Sequence, residues 1–482
     1  MKIFAQHFRK TGGNVARFAC DGHFDLLPAA FLSAIISICQ TFNKQKGAIL
    51  LDYRAEYQKK LTTIDGVLDA IHSDSVLAAS QAANEPTAIF DRLHELYGRV
   101  HNVKMYGPMC CNPHPFMLDP KYRDTFNIDV AFLMNDTRKA LASNAISYFP
   151  SHMHDGAQRW MDANGAPDLF ICAVSPMDKH GYFTIPLCLA HERSFFNAAR
   201  RVAVQVNPNL PRTRGDTAIH ISDVDLIVEE ASPLPILSKS EPTEVDKAIG
   251  AYVASLVNDG DCIQLGIGGI PDAAAMSLMS KHDLGLHTEM LTNSIVDLME
   301  AGVLNNRRKN FHTGRCICTF ALGAQALYDL VDDNPGIEFY SGSYVNDPRI
   351  IGQNDNFVSI NSGLAVDLTG QVCSESIGSR MFSGSGGQCD FAEGASYSKG
   401  GRSILCVKAA RKNNTLSSIV AQHANGSVVT MSRNTVDYIV TEFGIAPMRG
   451  RSVRQRVENL IAVAHPDFRA ELRKQADELH LW

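Results

Sequence analysis

Several absences narrow what this 482-residue sequence can be. Its twelve cysteines include no CxxC pair, and neither Cys110-Cys111 with His114 nor the Cys-Ile-Cys run at 316–318 has the spacing of a zinc site. No GK[ST] tripeptide is present, which excludes a P-loop. The net charge of −6 gives no general attraction to nucleic acid or anionic lipid. We therefore expect no metal site, no nucleic-acid partner and reduced thiols in a cytoplasmic protein.

Long apolar runs are also missing. The best candidate for a membrane span, residues 26–42 (LLPAAFLSAIISICQTF), contains Pro28 and falls short of the ~20 apolar residues that cross a bilayer. Four basic residues precede this segment, but no small-x-small cleavage site follows it, so a signal peptide is not indicated. We predict a buried or accessory helix here and no membrane partner.

The length and the residue patterns predict two α/β domains. A chain of 482 residues exceeds what one hydrophobic core usually supports. From residue 53 onward helical and extended patterns alternate, which favours α/β layering. Residues 102–107, 168–175 and 201–206 are apolar enough to be strands buried on both faces. Residues 85–100 carry apolar side chains at helical spacing, which predicts one amphipathic helix.

A second block of elements follows a break at residues 231–244 (ASPLPILSKSEPTE), which is rich in proline and serine and is the best linker candidate. A helical stripe then runs from Val245 to Leu256, and residues 261–265 (DCIQL) form a predicted strand. The loop GIGGIP comes next, with Pro271 in the first turn of another helix. A strand, a glycine loop and a helix N-terminus together present backbone N–H groups to an anion or a polarised oxygen.

Two glycine-rich loops are present, and neither matches a dinucleotide fingerprint. Gly266 and Gly268 fit the first two positions of GxGxxG, but Pro271 occupies the third. The second loop, residues 382–390 (FSGSGGQCD), places a cysteine at that position. We therefore expect no nicotinamide cofactor. Each loop taken singly is as easily a tight turn as a ligand-binding backbone, and both interpretations stay open at this point.

An isolated carboxylate, Glu289, lies in the stretch GLHTEML at residues 285–291, just downstream of the first glycine loop. Most glutamates are solvated surface residues, so its position alone does not indicate a function.

The run from residue 266 to residue 289 (GIGGIPDAAAMSLMSKHDLGLHTE) resembles the acetyl-CoA hydrolase/transferase family, and within it the butyryl-CoA:acetate and 4-hydroxybutyrate CoA-transferases. The likeness runs from about residue 53 nearly to the C-terminus. Further motifs that carry it are SPMDKHGYF (175–183), YVNDP (344–348), VDLTGQVCSESIG (366–378), FSGSGGQCDF (382–391) and SRNTVDYIVTEFGIA (432–446).

The resemblance implies an α/β fold with two similar open domains of the CoA-transferase type and an active site in the cleft between them. The N-terminal domain is expected at residues 53–236, and the C-terminal domain, with the catalytic glutamate, at residues 237–482. Residues 1–52 have no counterpart in the family pattern and are expected to form an N-terminal extension. The resemblance also implies a homodimer or a larger homo-oligomer.

The resemblance assigns the catalytic role to Glu289, which matches the glutamate of the family's H-[ST]-E-M motif. It implies that Arg212 and Glu442 shape a carboxylate subsite, although a structural ion pair is an equal alternative for each. We expect structural or solvated roles for His282 and His287. The positions expected to bind coenzyme A and the acyl group are Gly266, Gly268, Gly269, Gly384, Gly386, Gly387 and Asn346, with Lys399 as a cation for the phosphates.

The expected reaction moves CoA between a short-chain acyl-CoA (butyryl-, 4-hydroxybutyryl-, propionyl- or acetyl-CoA) and a small carboxylate such as acetate. The route is ping-pong through a thioester of CoA with Glu289. CoA is then a substrate that is bound covalently for part of the cycle, and no cofactor is permanently bound. Two alternatives remain: a hydrolase of the same family, in which water replaces the acid, and a silent acyl-CoA-binding protein.

Overall fold

A computed structural model describes residues 53–239 and 241–482. By its contacts the chain separates into two units, Met1–Glu56 and Tyr57–Trp482, and only the last four residues of the first unit are described. The segment 26–42, for which the sequence predicts a buried or accessory helix, lies outside the described residues. Within the described ranges, no helix combines the length and the apolar character needed to cross a bilayer.

The strands of the described residues are numbered along the chain. They are β1 Val76–Ala79, β2 Val103–Gly107, β3 Phe126–Val130, β4 Ser147–Tyr148, β5 Leu169–Val174, β6 Tyr182–Thr184, β7 Val202–Val206, β8 Arg214–Gly215, β9 Ala218–His220, β10 Leu226–Glu229, β11 Cys262–Leu265, β12 Gly285–Leu286, β13 Met290–Leu291, β14 Cys316–Cys318, β15 Phe320–Ala321, β16 Ile337–Phe339, β17 Phe357–Ser362, β18 Ala365–Asp367, β19 Val372–Cys373, β20 Ser376–Ile377, β21 Arg380–Met381, β22 Arg402–Cys406, β23 Ala410–Arg411, β24 Leu416–Ser417, β25 Ile419–Val420, β26 Tyr438–Thr441 and β27 Gly444–Pro447.

The α-helices are numbered in the same way. They are α1 Tyr53–Lys60, α2 Ile64–Leu68, α3 Thr87–Phe90, α4 Pro115–Leu118, α5 Asn135–Ala142, α6 Gly156–Asn164, α7 Glu192–Ala198, α8 Glu244–Ser255, α9 Gly269–Ser277, α10 Asn293–Glu300, α11 Gln325–Val331, α12 Gly342–Val345, α13 Pro348–Ile351, α14 Gln388–Tyr397, α15 Val453–Val463 and α16 Arg469–Glu478.

The first half of the described chain forms a seven-stranded parallel sheet in the order β10-β7-β5-β1-β2-β3-β4. Strands β1, β5 and β7 are buried along their whole length, which is typical of a parallel sheet covered on both faces. The strands predicted at residues 102–107, 168–175 and 201–206 are confirmed: β2, β5 and β7 agree with the predicted bounds to within one residue.

The prediction of a single amphipathic helix at residues 85–100 is wrong. The segment forms the one-turn helix α3 and a separate 3-10 turn at Leu93–Leu96. Ile89, Phe90, Leu93 and Leu96 are buried as their spacing indicates, whereas Tyr97 is exposed. The backbone changes its hydrogen-bond pattern at Arg92. The guanidinium of Arg92 is held there by Asp65 at 2.6 Å and Glu95 at 2.7 Å. The pair with Asp65 is a tertiary contact, and contacts of this kind can override helix propensity.

The second half forms a six-stranded sheet in the order β12-β11-β17-β22-β26-β27, parallel except for the hairpin of β26 and β27. The two parallel sheets confirm the predicted α/β class. The strand, glycine loop and helix predicted at residues 261–271 are present as β11, its following loop and α9. Helix α8 begins with a capping box, because the Thr243 hydroxyl accepts from the Asp246 N–H and the Asp246 carboxylate accepts from the Thr243 N–H.

The predicted linker falls in irregular backbone, because residues 231–239 and 241–243 contain neither helix nor strand. The exact domain boundary at residues 236 and 237 stays a prediction.

A small three-stranded sheet contains strands from both halves of the chain and joins them. Strand β8 of the first half pairs in parallel with β16 of the second half, which in turn pairs with β14. Gly215 in β8 has φ +100°, and a Cβ atom there would overlap the carbonyl oxygen of Phe339. The pairing of the two halves therefore requires glycine at this position.

We expect Gly215→Ala to lower the free energy of unfolding by about 3 kcal/mol, because left-handed strain and overlap with the Phe339 backbone act together. The matched control is Gly165→Ala, which has φ +94° but no atom within 4 Å of the added Cβ. The control should lose only about 1 kcal/mol, the cost of the backbone strain. Chemical denaturation measures both values, and equal losses would show that the Phe339 contact is unimportant.

Candidate active site

The backbone of Glu289 is fixed at the junction of several short strands. It directly precedes β13, and its carbonyl oxygen accepts hydrogen bonds from the N–H groups of Thr319 and Phe320 at 2.9 and 3.0 Å. The preceding residue, Thr288, is completely buried, and its N–H donates to the carbonyl of Ile317 at 2.9 Å. These hydrogen bonds fix the backbone from which the Glu289 side chain extends.

Two neutral donors hold the Glu289 carboxylate. The amide nitrogen of Asn346, which is fully buried, donates to Glu289 Oε2 at 2.7 Å. The backbone N–H of Gly387 donates to the same carboxylate. A Cβ atom at Gly387 would overlap both Glu289 Oε2 and the Asn346 amide. Only glycine at position 387 allows the carboxylate to approach this backbone so closely.

Burial raises the pKa of Glu289 to about 7. The nearby Asp390 carboxylate also raises this pKa, whereas the Asn346 and Gly387 donors lower it. Part of the Glu289 surface remains open, and it faces a cavity. A carboxylate with this pKa is partly ionised at neutral pH and poorly solvated, which are the conditions that favour nucleophilic attack.

A second buried carboxylate, Asp390, lies near Glu289 in the first turn of α14. His154 from the first half of the chain binds it twice, through Nδ1 at 2.8 Å and the backbone N–H at 3.3 Å. His152 Nδ1 lies 3.4 Å from the same carboxylate. Burial raises the pKa of Asp390, and the hydrogen bond to Asp390 raises the pKa of His154. The pair thus places a hydrogen-bonded carboxylate and imidazole close to the reactive carboxylate.

The second glycine loop lies between Glu289 and the first half of the chain. Gly384 packs so closely on Ala131 that a Cβ atom would overlap the carbonyl oxygen of Ala131. The Ser385 hydroxyl donates to the carbonyl of Ser151 at 3.0 Å. Gly386 has φ +50°, and a Cβ atom there would lie 3.9 Å from Glu289 Oε1. The loop therefore presents its backbone to the carboxylate.

The first glycine loop contributes less than the sequence suggests. Gly266 lines the cavity, and its N–H donates to the carbonyl of Ile360 at 3.2 Å. Gly268 has φ +109° and caps α9, so its conformation is needed for the turn into the helix. Gly269 lies against Asp246, and a Cβ atom added at Gly269 would be 3.1 Å from Asp246 Oδ2. Neither Gly268 nor Gly269 is among the residues that line the cavity.

The cavity has a volume of about 360 Å³ and is lined by residues from both halves of the chain. Its polar lining includes the second glycine loop with Gln264, Asn361, Ser362 and Gln388. Five apolar lining residues belong to one hydrophobic cluster and are called the apolar wall below: Met109, Met153, Met290, Phe320 and Leu322. Glu289 is the only Asp, Glu, Lys or Arg among the described residues that line this cavity.

Three residues with expected roles at the site do not line this cavity. Lys399 is exposed beyond the end of α14 and does not line the cavity. Arg212 binds Asp178 at 3.3 Å, and Glu442 accepts from the N–H of Ala409 at 2.9 Å. The structure therefore does not bring Arg212 and Glu442 together, and neither lines the cavity. Their role in a carboxylate subsite stays a prediction, and the contacts described here do not provide such a subsite.

His287 and His282, the histidines near the motif, have different environments. His287 is completely buried, its Nε2–H donates to the carbonyl of Val345 at 2.7 Å, and burial lowers its pKa to about 3. This neutral ring supports the structure rather than moving protons. His282 is exposed. Asp390, which lies near Glu289, and its partner His154 were not predicted from the sequence. Asp390 is part of the motif FSGSGGQCDF, but only the fold brings His154 to it.

One group within the described ranges has the composition of a metal site. Ligand atoms of Glu85, Cys110 and His114 lie within 4.8 Å of one another. However, His114 also binds Asp91 at 3.1 Å, and the N–H of Cys111 donates to Glu85 at 2.9 Å. These hydrogen bonds account for the buried polar atoms without an ion.

Comparison with known proteins finds matches that span most of the chain. The N-terminal domain model of the acetyl-CoA hydrolase/transferase family matches residues 46–238, and the C-terminal domain model matches residues 323–476. A succinyl-CoA:cyclohexane-1-carboxylate CoA transferase of Geobacter metallireducens is 43% identical over 89% of this chain and 97% of its own length. A 4-hydroxybutyrate coenzyme A transferase of Clostridium kluyveri is 38% identical over 88% of this chain and 99% of its own length.

The fold also matches solved structures. RipA from Yersinia pestis superimposes with a TM-score of 0.83 and 36% identity, over 90% of this chain and all of the RipA chain. This chain matches both domain models of the family, and it matches relatives along nearly their whole length. It therefore shares their evolutionary origin and architecture. The protein belongs to the acetyl-CoA hydrolase/transferase family.

Proposed function

We propose that this protein is a CoA-transferase that moves CoA from an acyl-CoA to a free carboxylic acid through a covalent thioester on Glu289. The observation that supports this most strongly is the environment of Glu289. It is the one charged side chain among the described residues that line the cavity, and two neutral N–H donors hold it. The transferase names of the relatives support the same reaction class.

The reaction begins when a carboxylate oxygen of Glu289 attacks the carbonyl carbon of the thioester. The carbon–sulfur bond breaks, CoA leaves as a thiolate, and a mixed anhydride remains on Glu289. The thiolate then attacks the glutamyl carbonyl, the carbon–oxygen bond of the anhydride breaks, and the first acid leaves as a carboxylate. A second acid reverses both steps and leaves as the new acyl-CoA. No net proton is transferred, so no general base is needed.

The two donors to Glu289 serve the second step. When the thiolate attacks the glutamyl carbonyl, negative charge develops on the oxygen that faces Asn346 and Gly387. The Asn346 amide is already 2.7 Å from this oxygen in the resting carboxylate. One such preorganised donor typically contributes about 3 kcal/mol to the stability of an oxyanion. We assign Asn346 and Gly387 to this oxyanion site.

Other assignments complete the proposal. The domains are residues 53–236 and 237–482, and residues 1–52 form an extension. Acids such as acetate and butyrate are acceptors, and CoA is a substrate rather than a bound cofactor. Lys399 contacts the CoA phosphates, and Arg212 and Glu442 influence the carboxylate subsite from outside the cavity. The protein acts in the cytoplasm, where acyl-CoA esters are used, as a homodimer or a larger homo-oligomer.

We expect Glu289→Gln to reduce CoA transfer by more than about a thousandfold, because the neutral amide is a poor nucleophile. Intact-protein mass spectrometry after incubation with butyryl-CoA alone should show wild-type protein carrying the mass of CoA, and the variant should show none. The matched control, Glu393→Gln, removes an exposed carboxylate outside the cavity and should still form the adduct. Full-rate release of CoA without any acid would identify a hydrolase instead, and acyl-CoA binding without turnover would identify a silent binding protein.

The pH dependence of kcat/KM should report the ionisation of Glu289. Because attack requires the carboxylate, we expect the rate to fall as the pH drops through about 7. Asp390→Asn removes a negative charge that raises the pKa of Glu289, so the acidic limb should move to lower pH. The control is Glu393→Gln, an exposed carboxylate on the same helix, which should leave the limb in place. An unshifted limb in Asp390→Asn would contradict the assigned coupling.

A further inference from the structure

The Glu289 cavity lacks the positive charges that coenzyme A needs. The sulfur of CoA is at one end of its pantetheine arm, and its phosphate groups lie beyond the other end. No Lys or Arg is among the described residues that line the cavity. His191 lines it, but burial lowers the pKa of this histidine to about 4, so its ring is neutral at physiological pH. The cations that bind the phosphates therefore lie outside the lining, within reach of the arm.

Two arginines, one from each half of the chain, lie next to lining residues. The backbone N–H of Arg138, in α5, donates to the carbonyl of the lining residue Met134 at 3.0 Å. The Arg138 Nε–H donates to the carbonyl of Phe382, and the guanidinium stacks on the Phe382 ring with Cζ 3.8 Å from the ring centroid. Phe382 directly precedes Ser383, which lines the cavity. Arg380 is in β21, two residues before Phe382. Arg138 and Arg380 are called the arginine pair below.

No carboxylate of the described residues neutralises the arginine pair. The acidic residue of α5, Asp136, pairs with Lys139 at 2.9 Å instead. Arg380 is exposed, and its side chain forms no hydrogen bond or ion pair within the described ranges. Burial and the positive charge of Arg380 lower the pKa of Arg138. The two guanidinium groups thus repel one another, and an anion bound by both would remove this repulsion.

The pantetheine arm is long enough to extend from Glu289 to the arginine pair. The N–H of Gly387 binds the Glu289 carboxylate, and the carbonyl of Phe382 binds Arg138. Gly387 follows Phe382 by five residues, and five residues span at most about 17 Å. The extended arm of CoA, from the sulfur to the first phosphate, has a comparable length.

We infer that Arg138 and Arg380 form a binding site for the phosphate groups of CoA next to the Glu289 cavity. Guanidinium groups suit this ligand because their planar N–H donors match the geometry of phosphate oxygens. The stacking of Arg138 on Phe382 orders one of the two groups before the ligand binds. This inference rests on the proposed function and identifies how its CoA substrate is recognised. A bound phosphate would connect the two halves of the chain.

The inference is tested by comparing butyryl-CoA with butyryl-pantetheine, which has the same thioester and arm but no phosphate. Acetate is the acceptor, and kcat/KM is measured for each thioester. We expect Arg380→Met and Arg138→Met each to lower kcat/KM for butyryl-CoA by about tenfold, because each removes a charge-assisted hydrogen bond. Neither variant should change kcat/KM for butyryl-pantetheine. The advantage of the wild-type protein with butyryl-CoA should shrink as the salt concentration rises.

Two further variants serve as comparisons. Arg307→Met makes the same change at an exposed arginine outside the cavity and should leave kcat/KM unchanged for both thioesters. Lys399→Met removes the other cation proposed to contact the phosphates. If Lys399→Met changes the preference for butyryl-CoA and neither arginine variant does, the inference is overturned. If Arg138→Met does not fold, Arg380→Met still decides the question, because the Arg380 side chain supports no described contact.

Equal losses with both thioesters would also overturn the inference, because they would show that the arginines position the second glycine loop rather than bind phosphate. An unchanged preference for butyryl-CoA in both arginine variants would overturn it as well. These results leave the proposed function intact as long as intact-protein mass spectrometry shows the adduct on Glu289. Transfer from neither thioester by the wild-type protein, with no such adduct, would instead refute the proposed function.

Discussion

The rest of the site depends on one constraint: the Glu289 carboxylate must be ionised and yet removed from water. Burial raises its pKa to about 7, and the Asn346 amide and the Gly387 N–H replace part of the lost hydration. Both donors are neutral. A lysine or arginine in their place would form an ion pair that lowers the pKa of the carboxylate and weakens it as a nucleophile. Neutral donors stabilise the ion while leaving it reactive.

The same constraint explains how the two halves of the chain meet. A carboxylate can bind a backbone N–H only where no side chain intervenes, and a Cβ atom at Gly387 would overlap Glu289. The loop that supplies this N–H needs support from the other side, and it rests on Ala131 and Ser151 of the first half. The Asp390–His154 pair adds a charge coupling across the same junction. Reactivity is thus a property of both halves together.

The sequence predicted those features that short-range patterns encode. The buried strands and the unit of strand, glycine loop and helix at residues 261–271 follow from apolar runs and glycine positions, and the structure has them. The prediction of one helix at residues 85–100 is wrong: the backbone changes its hydrogen-bond pattern at Arg92, which pairs with the distant Asp65 as well as with the nearby Glu95. Glu289, Asn346 and Gly387 were identified by resemblance, and their direct contact required the fold. His154 and Asp390, 236 residues apart, carry no local signal of their pairing.

The absence of charge from the apolar wall bears on the choice between transfer and hydrolysis. A water molecule inside a protein needs about two to four polar partners. The side of the cavity formed by Met109, Met153 and Phe320 offers none from its side chains, so water there gains little. An apolar group of the substrate is stabilised by the same surface. A substrate group that fills this part of the cavity therefore displaces the water that would hydrolyse the thioester of Glu289.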